Sequence, residues 1–135
     1  MSDAYVLDSF AVLALLGREP GGDEVARLLR QAQDGKATLL MTWVNAGEVA
    51  YIVQRRWGRG RAYQVLATLE AAGIQMAPVE RDLALAAAHI KAEHPLAHAD
   101  AFAAALAANS GSTLVTGDRE FKTLEDVVSI HWLQS

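Results

Sequence analysis

Short runs of consecutive apolar residues alternate along the chain with longer segments whose apolar residues recur every three or four positions. The short runs predict buried β-strands at residues 4–7, 38–41, 74–79, 113–116 and 128–132. The longer segments predict helices at residues 10–16, 23–33, 43–57, 61–72, 81–93 and 95–109, and a short helical turn precedes the last strand. Strands that alternate with helices predict an α/β layered fold with a mostly parallel sheet.

Individual residues predict several of the helix ends. Thr42 is predicted to be the N-cap of the helix over residues 43–57. Gly73 is predicted to end the helix over residues 61–72. Pro95 is predicted to open the last long helix, because proline is tolerated in a helix's first turn.

The composition is that of a globular protein and excludes several classes of site. The 135 residues are 52% apolar and 21% charged, so we expect a single domain over residues 1–135. The absence of cysteine excludes disulfides, thiolate metal sites and cysteine nucleophiles. The apolar run at residues 10–16 is too short to cross a membrane, and Asp3 and Asp8 precede it instead of basic residues. We therefore expect a soluble, cytoplasmic protein with no membrane partner.

Two acidic residues stand at matching places in the predicted sheet. Asp8 directly follows the first buried strand, and Asp118 follows the fourth after one glycine. Ligands of open parallel sheets bind outside the carboxyl ends of the strands, which is where these side chains are predicted. The alternative is that each aspartate only caps a helix or forms a turn.

Two further acidic residues, Glu48 and Asp100, lie inside predicted helices among apolar neighbours. No lysine or arginine stands within four residues of either one. A buried carboxylate without a cation is costly, so each one either faces solvent or has a partner from elsewhere.

If all four carboxylates converge, a bound cation must relieve their mutual repulsion. Ligand sets made only of oxygen favour Mg²⁺ or Mn²⁺ over zinc, and such a site is suited to phosphodiester hydrolysis by an activated water. The chain has 16 acidic and 12 basic residues, for a net charge of −4. Setting four acids aside in one metal site leaves the rest balanced, so the acidic composition does not exclude an RNA substrate.

The order of these motifs resembles the PIN-domain ribonucleases over essentially the whole chain. The matching pieces are Asp8-Ser9, the helical Glu48, Ala-Asp-Ala around Asp100, and Thr-Gly-Asp-Arg-Glu-Phe over residues 116–121. The last stretch is the most specific of them, and the short length is similar to that of VapC-type toxins of toxin–antitoxin pairs.

The resemblance implies a three-layer fold, with helices on both sides of the parallel sheet, and Mg²⁺- or Mn²⁺-dependent endoribonuclease activity. It implies that Asp8, Glu48, Asp100 and Asp118 form the acidic quartet, with Ser9 and Thr116 as supporting polar residues. A cognate antitoxin that blocks the site, and a homodimer, are also implied. The chain departs from the family at Leu-Ala-His before Asp100, where a serine is often found, which removes any supporting hydroxyl at position 97.

A group of four arginines lies where the third predicted helix ends and the fourth begins. Its members are Arg55, Arg56, Arg59 and Arg61. Trp57 and Tyr63 stand among or beside them, and such a pattern can hold an RNA backbone and stack a base. The alternatives are contact with a protein partner and a solvated helix end that complements the helix dipole.

Three other functions are alternatives to this interpretation, and single residues argue against two of them. His94 and His98 have helical zinc-ligand spacing, but Pro95 occupies the position where a zinc protease has its glutamate. An aspartyl-nucleophile phosphatase would carry a second aspartate two residues after Asp8, where this chain has Phe10. A non-catalytic PIN-like module that binds RNA or protein remains the third alternative, although all four acids are present.

Overall fold

The computed structural model describes residues 3–134, which form a layered α/β fold. Its strands are β1 Asp3–Leu7, β2 Ala37–Thr42, β3 Ile74–Ala77, β4 Thr113–Thr116 and β5 Ile130–Trp132. Its helices are α1 Ser9–Gly17, α2 Gly22–Gln33, α3 Trp43–Trp57, α4 Arg59–Ala71, α5 Arg81–Glu93 and α6 His98–Ser110. A 3₁₀ helix covers Arg119–Leu124.

The five strands form one sheet in the order β3-β2-β1-β4-β5, and every pairing is parallel. The chain moves outward from β1 through β2 to β3 and then returns to the other side of β1 for β4. The strand order therefore reverses between β1 and β4. In open parallel sheets this point leaves a crevice at the carboxyl ends of the strands.

Alternate residues of each central strand face opposite layers of helices. In β1, Leu7 packs into the core shared with α1 to α4, whereas Val6 packs into the core shared with α5 and α6. In β4, Val115 and Leu114 divide in the same way. Both faces of the sheet are covered, which is why these strands read as continuous apolar runs. The predicted α/β fold with three layers is confirmed.

The ends of several elements follow the chemistry of single residues. Thr42 caps α3, because its hydroxyl oxygen accepts a hydrogen bond from the Asn45 backbone N–H at 3.0 Å. Gly73 follows α4 with a φ of 109°, in the left-handed region that favours glycine.

The predicted start of the last long helix at Pro95 is wrong by three residues. His94 has extended backbone, as a residue before proline prefers, and α6 begins only at His98 after the extended Ala97. The later start places Asp100 in the first turn of α6 and not in its interior. The positive end of the helix dipole favours an anionic side chain at that place.

Between residues 3 and 134, none of the helices combines the length and apolar character that crossing a bilayer requires.

Candidate metal centre

Asp8 and Asp118 meet at the carboxyl edge of the sheet, where the strand order reverses. Asp8 is 1% exposed, and its carboxylate accepts hydrogen bonds from the Ala11 backbone N–H at 2.8 Å and from the Thr116 hydroxyl. The Thr116 oxygen in turn accepts a hydrogen bond from the Asp118 backbone N–H at 3.0 Å. Thr116 therefore links the two acidic positions, because it fixes the carboxylate of one and the backbone of the other.

Three carboxylates converge beside this link. Asp100, Asp118 and Glu120 each offer an oxygen atom within 4.8 Å of the other two. Asp100 comes from the first turn of α6, whereas Asp118 and Glu120 flank the start of the 3₁₀ helix. The Asp118 side chain also accepts a hydrogen bond from the Glu120 backbone N–H at 3.0 Å, which holds these two acidic residues in one turn. Both aspartates that follow strands are thus helix caps and members of an acidic site.

A buried amide holds three elements around the acids. Asn45 of α3 is fully buried, and its side-chain NH₂ donates to the Ser9 hydroxyl and to the Ala99 carbonyl, each at 3.2 Å. Its side-chain oxygen accepts a hydrogen bond from the Thr42 hydroxyl. Ser9 and Ala99 are the immediate neighbours of Asp8 and Asp100. Asn45 therefore fixes the start of α1 relative to the start of α6.

Burial and mutual repulsion make the charged form of two of these acids costly. Burial raises the pKa of Asp8 to about 7, against the lowering effect of its hydrogen bonds with Thr116 and Ala11, and Asp118 and Glu48 raise it further. Burial likewise raises the pKa of Asp100 to about 7, with further contributions from Asp118, Asp8, Glu48 and Glu120 in that order.

Glu48 belongs to the same electrostatic group but not to the tight cluster. It lies half-buried on α3, and its charge raises the pKa of both Asp8 and Asp100. It is not among the three acids whose oxygens lie within 4.8 Å of one another, and neither is Asp8. The structure thus gathers five acids at one edge, the four predicted ones and Glu120. The carboxylates of Asp100, Asp118 and Glu120 lie close together, and those of Asp8 and Glu48 lie around them.

The donor set fits a hard divalent cation. Every candidate ligand is a carboxylate oxygen, the chain has no cysteine, and none of its histidines belongs to the tight cluster. Mg²⁺ and Mn²⁺ prefer such oxygen ligands, and a cation would offset the cost of burial and the mutual repulsion that together raise the pKa values of Asp8 and Asp100.

The sequence of the chain matches the family model described as the PIN domain over residues 5–127. The chain belongs to the PIN-domain family. No curated protein matches it by sequence.

Solved structures share this PIN domain's fold at low sequence identity. VapBC2 from Rickettsia felis bound to a promoter DNA fragment has a TM-score of 0.78 at 15% identity, with 97% of this chain and 99% of that chain covered. VapBC-1 from nontypeable Haemophilus influenzae has a TM-score of 0.70 at 17% identity, over 96% of this chain and 97% of that chain. Mycobacterium tuberculosis VapC20, described as a toxin that cleaves the sarcin–ricin loop, has a TM-score of 0.68 at 19% identity, over 88% and 93%.

Two residues of this PIN domain's site were missed by sequence reasoning. Glu120 stands two residues after Asp118. A second acidic residue at that spacing on a tight turn was the signal in the sequence that could have indicated a further member of the acidic cluster. Asn45 stands three residues after the Thr42 cap and three before Glu48, but an amide at that position does not reveal that it is buried.

The four arginines of the PIN domain do not join the acidic cluster. All four are exposed around the junction of α3 and α4, and Arg55 lies about 10 Å along the helix axis from Glu48. The Arg55 guanidinium lies 5.2 Å from the centroid of the Tyr51 ring. Arg56 instead lines a cavity of about 220 Å³ between α1 and α3, together with apolar side chains and Glu19.

That cavity begins beside the acidic site and extends away from it along α1. A Cβ atom on Gly117 would lie only 2.3 Å from the Phe10 ring, so the ring covers the backbone directly before Asp118. Phe10, Leu16 and Trp57 line the cavity and are 43%, 39% and 60% exposed. A second cavity of about 200 Å³ shares Leu16 and Trp57 with it and adds Arg61. We call the two together the α1–α3 groove.

Proposed function

We propose that this chain, acting as one PIN domain, is a cytoplasmic Mg²⁺- or Mn²⁺-dependent endoribonuclease toxin that an antitoxin neutralises. The observation that carries the proposal is the convergence of Asp100, Asp118 and Glu120 beside the buried Asp8. Among the ion pairs of the described residues, none joins a lysine, arginine or histidine to any of these four acids. A bound cation is the simplest compensation for this concentration of negative charge.

Asp100, Asp118 and Glu120 would hold the cation, and Asp8 would complete the set from the buried side. When bound, Mg²⁺ or Mn²⁺ supplies positive charge that lowers the pKa of a water molecule and neutralises a phosphate. Thr116 keeps the Asp8 carboxylate turned towards the site through its hydroxyl, and Ser9 supports the same turn through Asn45.

We assign to Glu48 the role of orienting the attacking water. Its carboxylate lies close enough to raise the pKa of Asp8 and Asp100 but stands outside the tight cluster. It would accept a hydrogen bond from the water and orient its oxygen towards phosphorus. As the new phosphorus–oxygen bond forms, the water would give up a proton to Glu48 and the bond to the 3′ oxygen would break. The released 3′ oxygen would take a proton from solvent, which leaves a 5′-phosphate and a 3′-hydroxyl.

The α1–α3 groove supports the antitoxin part of the proposal. It combines exposed Phe10, Leu16 and Trp57 with two basic residues, Arg56 and Arg61, and one acidic residue, Glu19, so the charge of its lining is positive overall. An amphipathic helix with an acidic flank fits such a groove, and at the Phe10 end it would reach Gly117 and the acidic site. Two of the four clustered arginines thus contact the partner in this proposal, and Arg55 and Arg59 remain free to contact RNA.

Expression of the chain alone in bacterial cells tests the proposal. Growth should stop, and sequencing of RNA ends should reveal new 5′-phosphate ends that are absent with the Asp118→Asn variant. Co-expression of the cognate antitoxin should restore growth with the parent chain but not with Leu16→Asp, which places a charge in the groove. Equal growth with the parent and Asp118→Asn would contradict the toxin assignment. The homodimer that we also propose is tested by light scattering of the purified chain.

A further inference from the structure

A pocket that is lined by Gly117 and shares no lining residue with the α1–α3 groove has no part in the function described so far. It has a volume of about 480 Å³ and lies at the carboxyl edge of the sheet. Its lining residues are Gly117, Arg119, Lys122, Glu125, Trp132, Leu133 and Gln134. Because Gly117 lines it, the pocket directly adjoins the position of Asp118.

Trp132 forms one wall of this pocket. It pairs with Thr116 of the neighbouring strand β4, and Thr116 is the residue whose hydroxyl donates a hydrogen bond to the Asp8 carboxylate. The ring packs against the core beneath α6, and its indole N–H donates to the Glu125 carboxylate at 3.0 Å. A half-buried indole fixed in this way offers an aromatic surface at little entropic cost.

The cations beside Trp132 are available for a ligand. Arg119 and Lys122 are exposed on the 3₁₀ helix that begins directly after Asp118. The ion pairs found within residues 3–134 involve neither of them. A basic pocket directly beside the acidic cluster suits a nucleic-acid strand. One of its phosphates would reach the cluster, and the next phosphate along the strand would lie in the pocket.

We propose that this pocket binds the nucleotide next to the cleaved phosphodiester bond, with the base stacked on Trp132 and the phosphate between Arg119 and Lys122. The inference rests on the proposed ribonuclease function and adds a subsite for single-stranded RNA to it. Stacking on an aromatic ring tolerates any base, so the pocket contributes affinity and register rather than strict sequence choice.

Fluorine NMR of protein labelled with 5-fluorotryptophan tests the subsite without relying on activity. The Asp118→Asn chain has three tryptophan resonances, which single Trp→Phe variants assign, and the probe is a random-sequence RNA hexamer in EDTA. The resonance of Trp132 should shift as RNA is added, and it should shift more than that of the exposed Trp43, which lies at the same edge of the sheet on the first turn of α3. A Trp132 resonance that stays unchanged at saturating RNA would overturn the proposal, including the case in which only Trp57 responds.

Charge and stacking variants provide the second arm. Trp132→Ala should weaken hexamer binding about tenfold or more, and Trp132→Phe should restore most of it. If Trp132→Ala fails to fold, the exposed pair Arg119→Ala and Lys122→Ala still tests the pocket. Each of these two substitutions should make the slope of log K for RNA binding against log salt concentration shallower by about 0.7. Lys36→Ala, at the opposite end of the sheet, is the matched control. Unchanged binding in all pocket variants would refute the subsite.

The two proposals can fail separately. If the parent chain cleaves RNA with Mn²⁺ while the Trp132 resonance does not change on addition of the hexamer, the proposed subsite is wrong and the proposed ribonuclease function is supported. If the parent neither binds nor cleaves RNA, the proposed function itself fails.

Discussion

Replacing Asp8 with asparagine should stabilise the metal-free protein at high pH, although it removes a central residue of the site. The side chain is 1% exposed and its pKa is raised from 3.8 to about 7. The folded state therefore holds a proton that the unfolded chain has lost between these two pH values. Stability contributed by this group falls as the pH rises through that window, and asparagine does not titrate.

The size of the effect follows from the shift. Each pH unit between 3.8 and 7 costs about 1.4 kcal/mol, so the parent protein has lost about 4 kcal/mol at pH 8 and less than half of that at pH 5. Asparagine can still accept the hydrogen bond from Ala11, but its contact with the Thr116 hydroxyl is weaker by about 1 kcal/mol at every pH. The advantage of Asp8→Asn should therefore be larger at pH 8 than at pH 5 by about 2–3 kcal/mol.

Urea unfolding of both proteins in EDTA at pH 5 and pH 8 measures this difference. Asp126→Asn, at an exposed position, is the matched control and should show no such dependence. Addition of Mn²⁺ at pH 8 should stabilise the parent, because the cation binds only the folded site, and it should stabilise Asp8→Asn much less.

An equal stability difference at pH 5 and pH 8 would refute the reasoning. It would mean that the Asp8 carboxylate ionises in the folded protein without penalty, so that neither its burial nor its acidic neighbours call for a cation. Equal stabilisation of both proteins by Mn²⁺ would refute the assignment of Asp8 to the metal site, whatever the pH dependence.

Further substitutions test the residues around the cluster. Asn45→Ala should lower the free energy of unfolding by about 2–3 kcal/mol, because the Thr42 hydroxyl loses its acceptor and the Ser9 hydroxyl and the Ala99 carbonyl each lose one hydrogen bond, whereas the exposed Asn109→Ala should change little in the same urea titration. Glu120→Gln should weaken Mn²⁺ binding at least tenfold in isothermal titration calorimetry, with the exposed Glu70→Gln as its control; equal affinities would remove Glu120 from the site. Gly117→Ala should push the Phe10 ring aside at a modest cost in stability, and no change in the Phe10 ring signals in NMR spectra would contradict the close approach.

The sequence predicted the fold well because the sheet is covered on both faces. Continuous apolar runs around Val6-Leu7 and Leu114-Val115 are typical of buried strands between two layers, and the intervening helices leave few other arrangements. The place where Asp8 and Asp118 meet follows from the same logic, because each of them comes just after the carboxyl end of a strand in a parallel sheet.

Side-chain geometry around the site was less accessible to sequence reasoning. The start of α6 was misplaced because proline is compatible with a first helical turn, while its effect on the preceding His94 decides the outcome. Glu120 was missed because charged residues on short turns are common on protein surfaces. Asn45 was missed because only the packing of α1, α3 and α6 reveals what its amide contacts.

The most direct test of the central claim is RNA cleavage by the purified, antitoxin-free chain beside its Asp118→Asn variant. Asparagine keeps the side-chain oxygen that accepts from the Glu120 N–H, so the variant should fold normally while it loses a carboxylate of the cluster. With bulk tRNA and ribosomal RNA as substrates, the parent should cleave in Mn²⁺ or Mg²⁺ and stop in EDTA, and the variant should be at least about 100-fold slower. Cleavage that continues in EDTA, or that proceeds equally in Asp118→Asn, would contradict a carboxylate metal centre as the source of the activity.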